Sequence, residues 1–131
     1  MGTTISLFLE YKSPITEEWT TFGYGYYIPS NYEMFAKMAG VRSEKYNTLY
    51  RAKGFPEDTA DYIKAQYMEA NNYEECCHNP SWLNKNEFTH CVDAYNAGKQ
   101  AEILEYKAVL ASMILFEEYK CETRIIFWFA L

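Results

Sequence analysis

The chain has 131 residues, 49% of them hydrophobic, and a net charge of −6, which suits a globular domain and excludes a disordered chain. The acidic balance also excludes a protein that tracks along duplex nucleic acid, because such binding needs a basic face that displaces counterions. Aromatic residues make up 18% of the chain, with 13 tyrosines, and such a surplus suits interfaces and stacking pockets.

The first predicted element is a β-strand over residues 3–12. Ile5, Leu7 and Leu9 recur with a period of two, which is typical of a strand with one buried face. A turn follows, and residues 18–22 are predicted to form the return strand. The loop over residues 23–27 that comes next is rich in glycine and tyrosine.

The first two helices are predicted from their end signals. Ser30 with Glu33 has the spacing of a capping box, and Gly40 can close the helix that it opens. Pro56 predicts the start of a second helix, because proline is well tolerated in a first helical turn. Residues 71–80 are then expected to be a loop.

The second half of the chain predicts two more helices and a closing strand. Asn84 with Glu87 forms another capping-box signature, and a longer amphipathic helix is expected after Gly98, to about Tyr119. Residues 123–129 include apolar side chains at both odd and even positions, which predicts an inner strand covered on both faces.

These elements predict a single α+β domain over residues 1–131. We expect a small antiparallel or mixed sheet that contains the N- and C-terminal strands, packed by three to four helices. No internal repeat or linker composition interrupts the sequence.

Five cysteine and histidine residues are clustered along the middle of the chain: Cys76, Cys77, His78, His90 and Cys91. Zinc sites usually use spaced pairs, because one turn must direct two ligands to one metal, whereas adjacent side chains point apart. We therefore predict thiols without a metal, and neither a metal site nor a cofactor. A catalytic cysteine–histidine pair would need a nucleophile and base within reach, which sequence neighbours seldom achieve.

The sequence contains no complete nucleophile elbow, P-loop, dinucleotide fingerprint or zinc-protease motif. We therefore predict no catalytic residues and favour a binding protein. The candidate ligand-binding residues combine cations, a hydroxyl and aromatic planes, as a nucleotide-like anion requires: Arg42, Lys53, His78, Ser81 and Trp82, with Tyr26 and Tyr27 from the tyrosine-rich loop. The alternative interpretation places Trp82 in the core and the cations on the surface.

Five segments in the same order resemble a family of small proteins encoded by phages and their hosts. They are residues 1–6, 35–42, 53–58, 78–83 and 127–130. The family patterns are Met-Gly-Cys-Asp-Ile-His, Phe-Ala-x-x-Ala-Gly-Val-Arg, Arg-Gly-Leu-Pro-x-Asp, His-x-x-Ser-Trp-Leu and Phe-Trp-Phe-Asp. The resemblance implies a phage origin for a divergent member and extends over most of the chain.

The chain departs from the family where the family carries Asp and His in the first strand and Asp in the last. Thr4, Ser6 and Ala130 occupy those positions here, so any metal or acid–base site made by the family residues is lost. By analogy with other early phage proteins, the resemblance implies an antagonist of host defence that sequesters a nucleotide-derived immune signal.

We therefore expect a non-enzymatic homo-oligomer that binds a small anionic nucleotide-like ligand in the cytoplasm of the host bacterium. The N-terminus lacks a signal-peptide pattern, and no apolar run reaches the roughly 20 residues that span a bilayer, so no membrane association is expected. Two alternatives remain open: an inhibitor that binds a host defence protein, and a divergent metal-dependent enzyme.

Overall fold

The structure is a computed structural model that describes residues 2–74 and 77–131, and its centre is a four-stranded antiparallel sheet. The strands are β1 Thr4–Lys12, β2 Trp19–Thr21, β3 Cys77–Asn84 and β4 Glu122–Ala130. Their order across the sheet is β2-β1-β4-β3, so the two terminal strands pair at its centre. The predicted α+β class and the predicted sheet are confirmed, and the sheet is antiparallel rather than mixed.

Four α-helices accompany the sheet: α1 Tyr32–Ala39, α2 Asp61–Glu74, α3 Lys85–Ala94 and α4 Leu104–Glu118. A 3₁₀-helix, Ala97–Ile103, leads into α4 and contains the predicted interruption at Gly98. Among these described elements, no helix is both long enough and apolar enough to cross a membrane.

β4 is buried on both sides, as predicted for an inner strand. Phe127 and Phe129 belong to the main core, which the sheet shares with α1, α3 and α4. Ile126 and Trp128 point to the opposite face and pack in a smaller cluster with Ile63 of α2. The two faces of one strand therefore hold the two layers of helices to the sheet.

The helix ends were predicted with mixed success. Gly40 ends α1 with a φ of 72°, and Asn84 opens α3 with the full capping box. The predicted box at Ser30 is wrong, because Asn31 is the N-cap of α1 and accepts from the Met34 amide. The Ser30 hydroxyl instead donates to the Thr3 carbonyl oxygen at 2.8 Å and ties the helix to the strand.

The predicted second helix begins at Asp61, not at Pro56. Residues 56–60 form turns, because two of their polar groups bond to the sheet. The Ala60 amide donates to the Glu10 carboxylate at 2.8 Å, and Asp58 accepts from Arg124 at 2.9 Å. These long-range bonds hold the segment across the sheet and delay the start of the helix.

The predicted loop over residues 71–80 is also wrong, because α2 continues to Glu74 and β3 begins at Cys77. Asn79 and Pro80 disfavour a regular strand, but β3 is an edge strand and its pairing with β4 is irregular between His78 and Ser81. Asn79 has a φ of 53°, and Pro80 sits at the irregularity, where no ladder hydrogen bond is required of it.

We expect Gly25→Ala to destabilise the protein by about 2–3 kcal/mol, because it adds strain and a clash. Gly25 has a φ of 106°, and a methyl group there would approach the Phe8 ring to 2.7 Å. Gly23 is the matched control, since its φ of 68° is strained for alanine but no atom lies within 4 Å. Urea denaturation measures both, and equal losses for the two variants would contradict the clash.

Candidate functional site

The seven predicted ligand-binding residues are divided among three places in the structure. Lys53, Ser81 and Trp82 lie together at β3. Arg42 and His78 line a separate depression of about 400 Å³ beside Thr3 and the C-terminus. Residues 26 and 27 line a third depression, of about 320 Å³, against β1. The predicted convergence of these residues on one cavity is therefore not found among these depressions.

The group at β3 is internally bonded. The Lys53 ammonium lies 4.0 Å from the Trp82 ring centroid and forms a 2.7 Å ion pair with Glu87. The Ser81 side chain is fully buried, and its hydroxyl oxygen accepts from the Lys53 amide at 2.9 Å. The bond between Lys53 and Ser81 thus holds the segment around residue 53 against β3, while Trp82 remains partly accessible.

Arg42 and His78 are also engaged by neighbours. Arg42 Nε donates to the Thr3 hydroxyl at 2.9 Å, and its guanidinium lies 5.1 Å from the Tyr32 ring. His78 Nδ1 is 2.6 Å from the Asn79 side-chain oxygen. Arg42 therefore anchors its loop to Thr3, just before the first strand, whereas this contact of His78 is with its sequence neighbour.

The two loop tyrosines differ sharply in their surroundings. The Tyr26 amide donates to the Leu7 carbonyl oxygen at 2.8 Å, and its hydroxyl is buried without a hydrogen-bond partner among the described residues. Tyr27 is 98% exposed. Only Tyr26 is therefore part of a packed surface.

A different depression brings together groups suited to an anionic aromatic ligand. We call it the Trp19–Trp82 cleft; its volume is about 550 Å³, within the range of small-molecule sites. It lies between β2 and β3, across the end of β4, and the turn after α4 closes one side. Its principal lining residues are Trp19, Trp82, Lys85, Lys120, Glu122 and Arg124.

Trp19 is held over the cleft floor by three polar neighbours. The Arg124 guanidinium lies 3.8 Å from the indole centroid, and the Lys12 ammonium lies 5.2 Å away. The indole N–H donates to an Asp58 carboxylate oxygen at 3.1 Å. Because its ring is positioned by these contacts, Trp19 is preorganised as one wall.

Arg124 itself is neutralised by carboxylates beneath and beside it. Its Nε donates to Glu10 at 2.6 Å, and a terminal nitrogen donates to Asp58 at 2.9 Å. The hydrogen bond from Arg124 lowers the pKa of the Asp58 carboxyl from its ordinary value, which favours the ionised form. Arg124 therefore shapes the cleft but has little charge left for a ligand.

The available positive charge comes from the two lysines. Lys85 lies 3.4 Å from Glu117, whereas the Lys120 side chain makes no ion pair within the described part of the chain. Lys120 has a φ of 69° at the turn that follows α4, which fixes where its side chain emerges. The cleft contains three cations and two carboxylates, although the chain as a whole is acidic.

A larger depression, of about 630 Å³, lies near the start of the chain. Tyrosines and amides line it, together with only one cation, Lys99, and two carboxylates, Glu33 and Glu102. That balance disfavours an anion. We therefore take the Trp19–Trp82 cleft as the candidate site in spite of its smaller size.

Sequence reasoning identified Trp82 but missed Trp19, Lys120 and Arg124. One signal was present, because Arg124 is the single charged residue in the predicted strand over residues 123–129. A charge on an inner strand needs a buried partner, so it predicts a polar cluster nearby. Lys120 carried no such signal, since its place at the cleft depends on the turn geometry.

The cysteine and histidine cluster gives no metal site in the described residues, where no group of three or more His, Cys, Asp or Glu side chains could hold an ion. Cys76 lies outside the described residues. His90 Nδ1 is 3.0 Å from the Tyr50 hydroxyl, and Cys91 is fully buried in the core.

Burial raises the pKa of the Cys91 thiol from 9.0 to about 12. The folded state therefore holds this proton more tightly than the unfolded chain, so the associated stability is complete below pH 9 and is lost as pH rises toward 12. Between pH 9 and 12 we expect the free energy of unfolding to fall less steeply with pH in Cys91→Ala than in wild type. The difference in slope should be on the order of 1 kcal/mol per pH unit. Urea denaturation at increasing alkaline pH measures it; parallel curves for wild type and variant would contradict it.

Comparison with known proteins adds no assignment: no protein-family model, no curated protein and no solved structure matches this chain.

Proposed function

We propose that this protein is a non-enzymatic binding protein for a small anionic, nucleotide-like ligand, which occupies the Trp19–Trp82 cleft. The observation that carries the proposal is that two indole rings and the Lys120 side chain, which forms no ion pair with the described residues, line one depression of about 550 Å³. The indole rings can stack on a nucleotide base, and the lysine can form charge-assisted hydrogen bonds with its phosphate.

In this proposal the base packs on an indole and the phosphate binds the lysines. Trp19 and Trp82 are partly exposed, so ring surface is available for stacking. Lys120 supplies the main charge, and Lys85 can exchange its 3.4 Å contact with Glu117 for a ligand phosphate. Glu122, which pairs with Lys12 at 3.3 Å, limits how much negative charge the cleft accepts.

The resemblance to phage proteins supplies the biological part of the proposal. We infer a phage-encoded antagonist of host defence that sequesters a nucleotide-derived immune signal in the cytoplasm of the bacterial host. This part rests on analogy, and the cleft chemistry supports only the ligand class. It makes cyclic dinucleotides and ADP-ribose derivatives the compounds to test first.

Isothermal titration calorimetry against a panel of cyclic dinucleotides and ADP-ribose derivatives tests the proposal. We expect at least one compound to bind, and Lys120→Ala to weaken its binding about tenfold because a charge-assisted hydrogen bond is lost. Lys45→Ala is the matched control, since Lys45 is an exposed lysine outside the cleft. Binding to no member of the panel, or equal losses in the two variants, would overturn it.

A second candidate function is inhibition of a host protein through the loop between β2 and α1. Tyr24 is 88% exposed and Tyr27 is 98% exposed, and exposed tyrosines are typical of binding interfaces. A stoichiometric host protein that co-purifies with wild type but not with Tyr24→Ser/Tyr27→Ser would favour it. A small molecule released from the purified protein on heating would favour the cleft instead.

A further inference from the structure

Helix α4 carries apolar residues on its buried side and also along part of its exposed side. Tyr106, Val109 and Met113 are buried against the sheet and the neighbouring helices. On the outer side, Leu104 is 59% exposed and Leu115 is 55% exposed. Contiguous exposed apolar surface marks interaction sites, and within the described residues nothing covers this outer face.

The outer face has a regular composition. Leu104, Ala108, Ala111 and Leu115 follow one another at intervals of four, three and four residues, so they form one stripe along the helix. The two alanines are exposed in the middle, and the two leucines stand at the ends. This order reads the same in both directions along the helix.

We propose that this outer face binds the same face of a second copy, with the two α4 helices antiparallel. A two-fold axis halfway along the stripe places Leu104 against Leu115 of the second copy. It also places Ala108 against Ala111 of the second copy, where small side chains let the backbones approach. One self-complementary patch then forms a closed dimer.

Charges beside the stripe favour the antiparallel direction. Lys107 and Glu118 lie on the same flank of the stripe, and both are exposed without an ion pair to the described residues. Side chains on a helix lean toward its N-terminus, so in the antiparallel pair Lys107 and Glu118 of the second copy lean toward each other. In a parallel pair, opposite flanks of the stripe meet across the interface, so Lys107 and Glu118 of the second copy would not face each other.

The size of the face predicts a weak dimer. α4 has 15 residues, so it is only about 22 Å long, and one helix pair buries less than the roughly 1,200 Å² of stable complexes. We expect a dissociation constant on the order of 10–100 µM. The dimer is independent of the proposed ligand, because the stripe residues do not line the Trp19–Trp82 cleft.

Sedimentation equilibrium from about 5 to 500 µM tests the dimer, since that range brackets the expected dissociation constant. Wild type should shift from monomer to dimer, and Leu115→Lys should stay monomeric because the new charge faces Leu104 of the second copy. Met68→Lys is the matched control: Met68 is 63% exposed on α2, away from the stripe, and this variant should dimerise normally.

The double variant Leu104→Glu/Leu115→Lys tests the direction of the pair. In the antiparallel dimer the introduced charges are opposite across the interface, so dimerisation should return and should weaken with added salt. Far-ultraviolet circular dichroism checks that every variant is folded. A monomeric wild type throughout the range, a dimer that Leu115→Lys leaves intact, or a double variant that stays monomeric would each overturn the proposal.

Discussion

Replacing Arg124 with leucine is expected to destabilise the fold by about 3–5 kcal/mol, because it removes the counter-ion of a buried carboxylate. Glu10 is 0% exposed, and its carboxylate is held by Arg124 Nε at 2.6 Å and by the Ala60 amide at 2.8 Å. Without Arg124, one short backbone bond must support a buried charge. Urea denaturation at neutral pH measures the loss.

Two controls distinguish the effect of leaving a buried charge unpaired from the effect of losing an ion pair in general. The double variant Glu10→Leu/Arg124→Leu should recover most of the loss, because both charges are removed together. Glu122→Gln removes a partner of Lys12 at the surface, where the Glu122 side chain is 69% exposed, and should cost less than about 1 kcal/mol. A double variant as unstable as the single one would contradict this explanation.

Trp128→Ala is expected to destabilise the protein by about 3–5 kcal/mol, the usual range for deleting a buried large aromatic side chain. Trp128 is 2% exposed and stacks on Phe8 with centroids 5.3 Å apart. The Tyr67 ring of α2 meets it edge-on at 5.1 Å. The smaller core cluster would therefore lose its largest member, and α2 would lose the contact of its Tyr67 ring with the sheet.

Which helices lose protection in the variant is a more specific test than the total loss of stability. In native-state hydrogen exchange, Trp128→Ala should lower the protection of α2 more than that of α1 and α3. Phe127→Ala is the matched control, since Phe127 is 0% exposed on the same strand but faces the main core. If both variants change α2 equally, the two faces of the sheet are not separate packing units.

The central strands could be predicted because local pattern and tertiary environment agree in them. Alternation at Ile5, Leu7 and Leu9 marked the face of β1 that packs in the main core, and apolar residues at both odd and even positions marked β4 as an inner strand. The cap at Asn84 was also readable, because its bonds to Glu87 lie within four residues. Such features are visible in the local sequence pattern, even though β1 pairs with β4 from the other end of the chain.

The remainder of the fold depends on contacts between residues far apart in sequence. The segment before α2 is shaped by bonds from Asp58 and Ala60 to residues of β1 and β4. β3 contains Asn79 and Pro80, and its strand structure comes from pairing with β4. Local propensity contradicts both outcomes, so sequence reasoning placed a helix and a loop there.

The candidate site shows the same division. Trp82 was predicted from its residue type, but its neighbours in the cleft come from β2, β4 and the turn after α4. Lys53 was predicted as a ligand contact, yet its charge is paired with Glu87. Residue type was the basis of the predicted ligand class, whereas only the tertiary arrangement shows which cations are available.

The most direct test of the proposed function is NMR of the indole N–H groups during titration with cyclic di-AMP or ADP-ribose. The chain has three tryptophans, so each signal can be assigned by substitution. We predict that Trp19 and Trp82 shift on titration, while Trp128, 2% exposed in the smaller core cluster, stays unchanged. Binding that leaves the Trp19 and Trp82 signals unmoved would place the ligand elsewhere and contradict the assignment of the cleft.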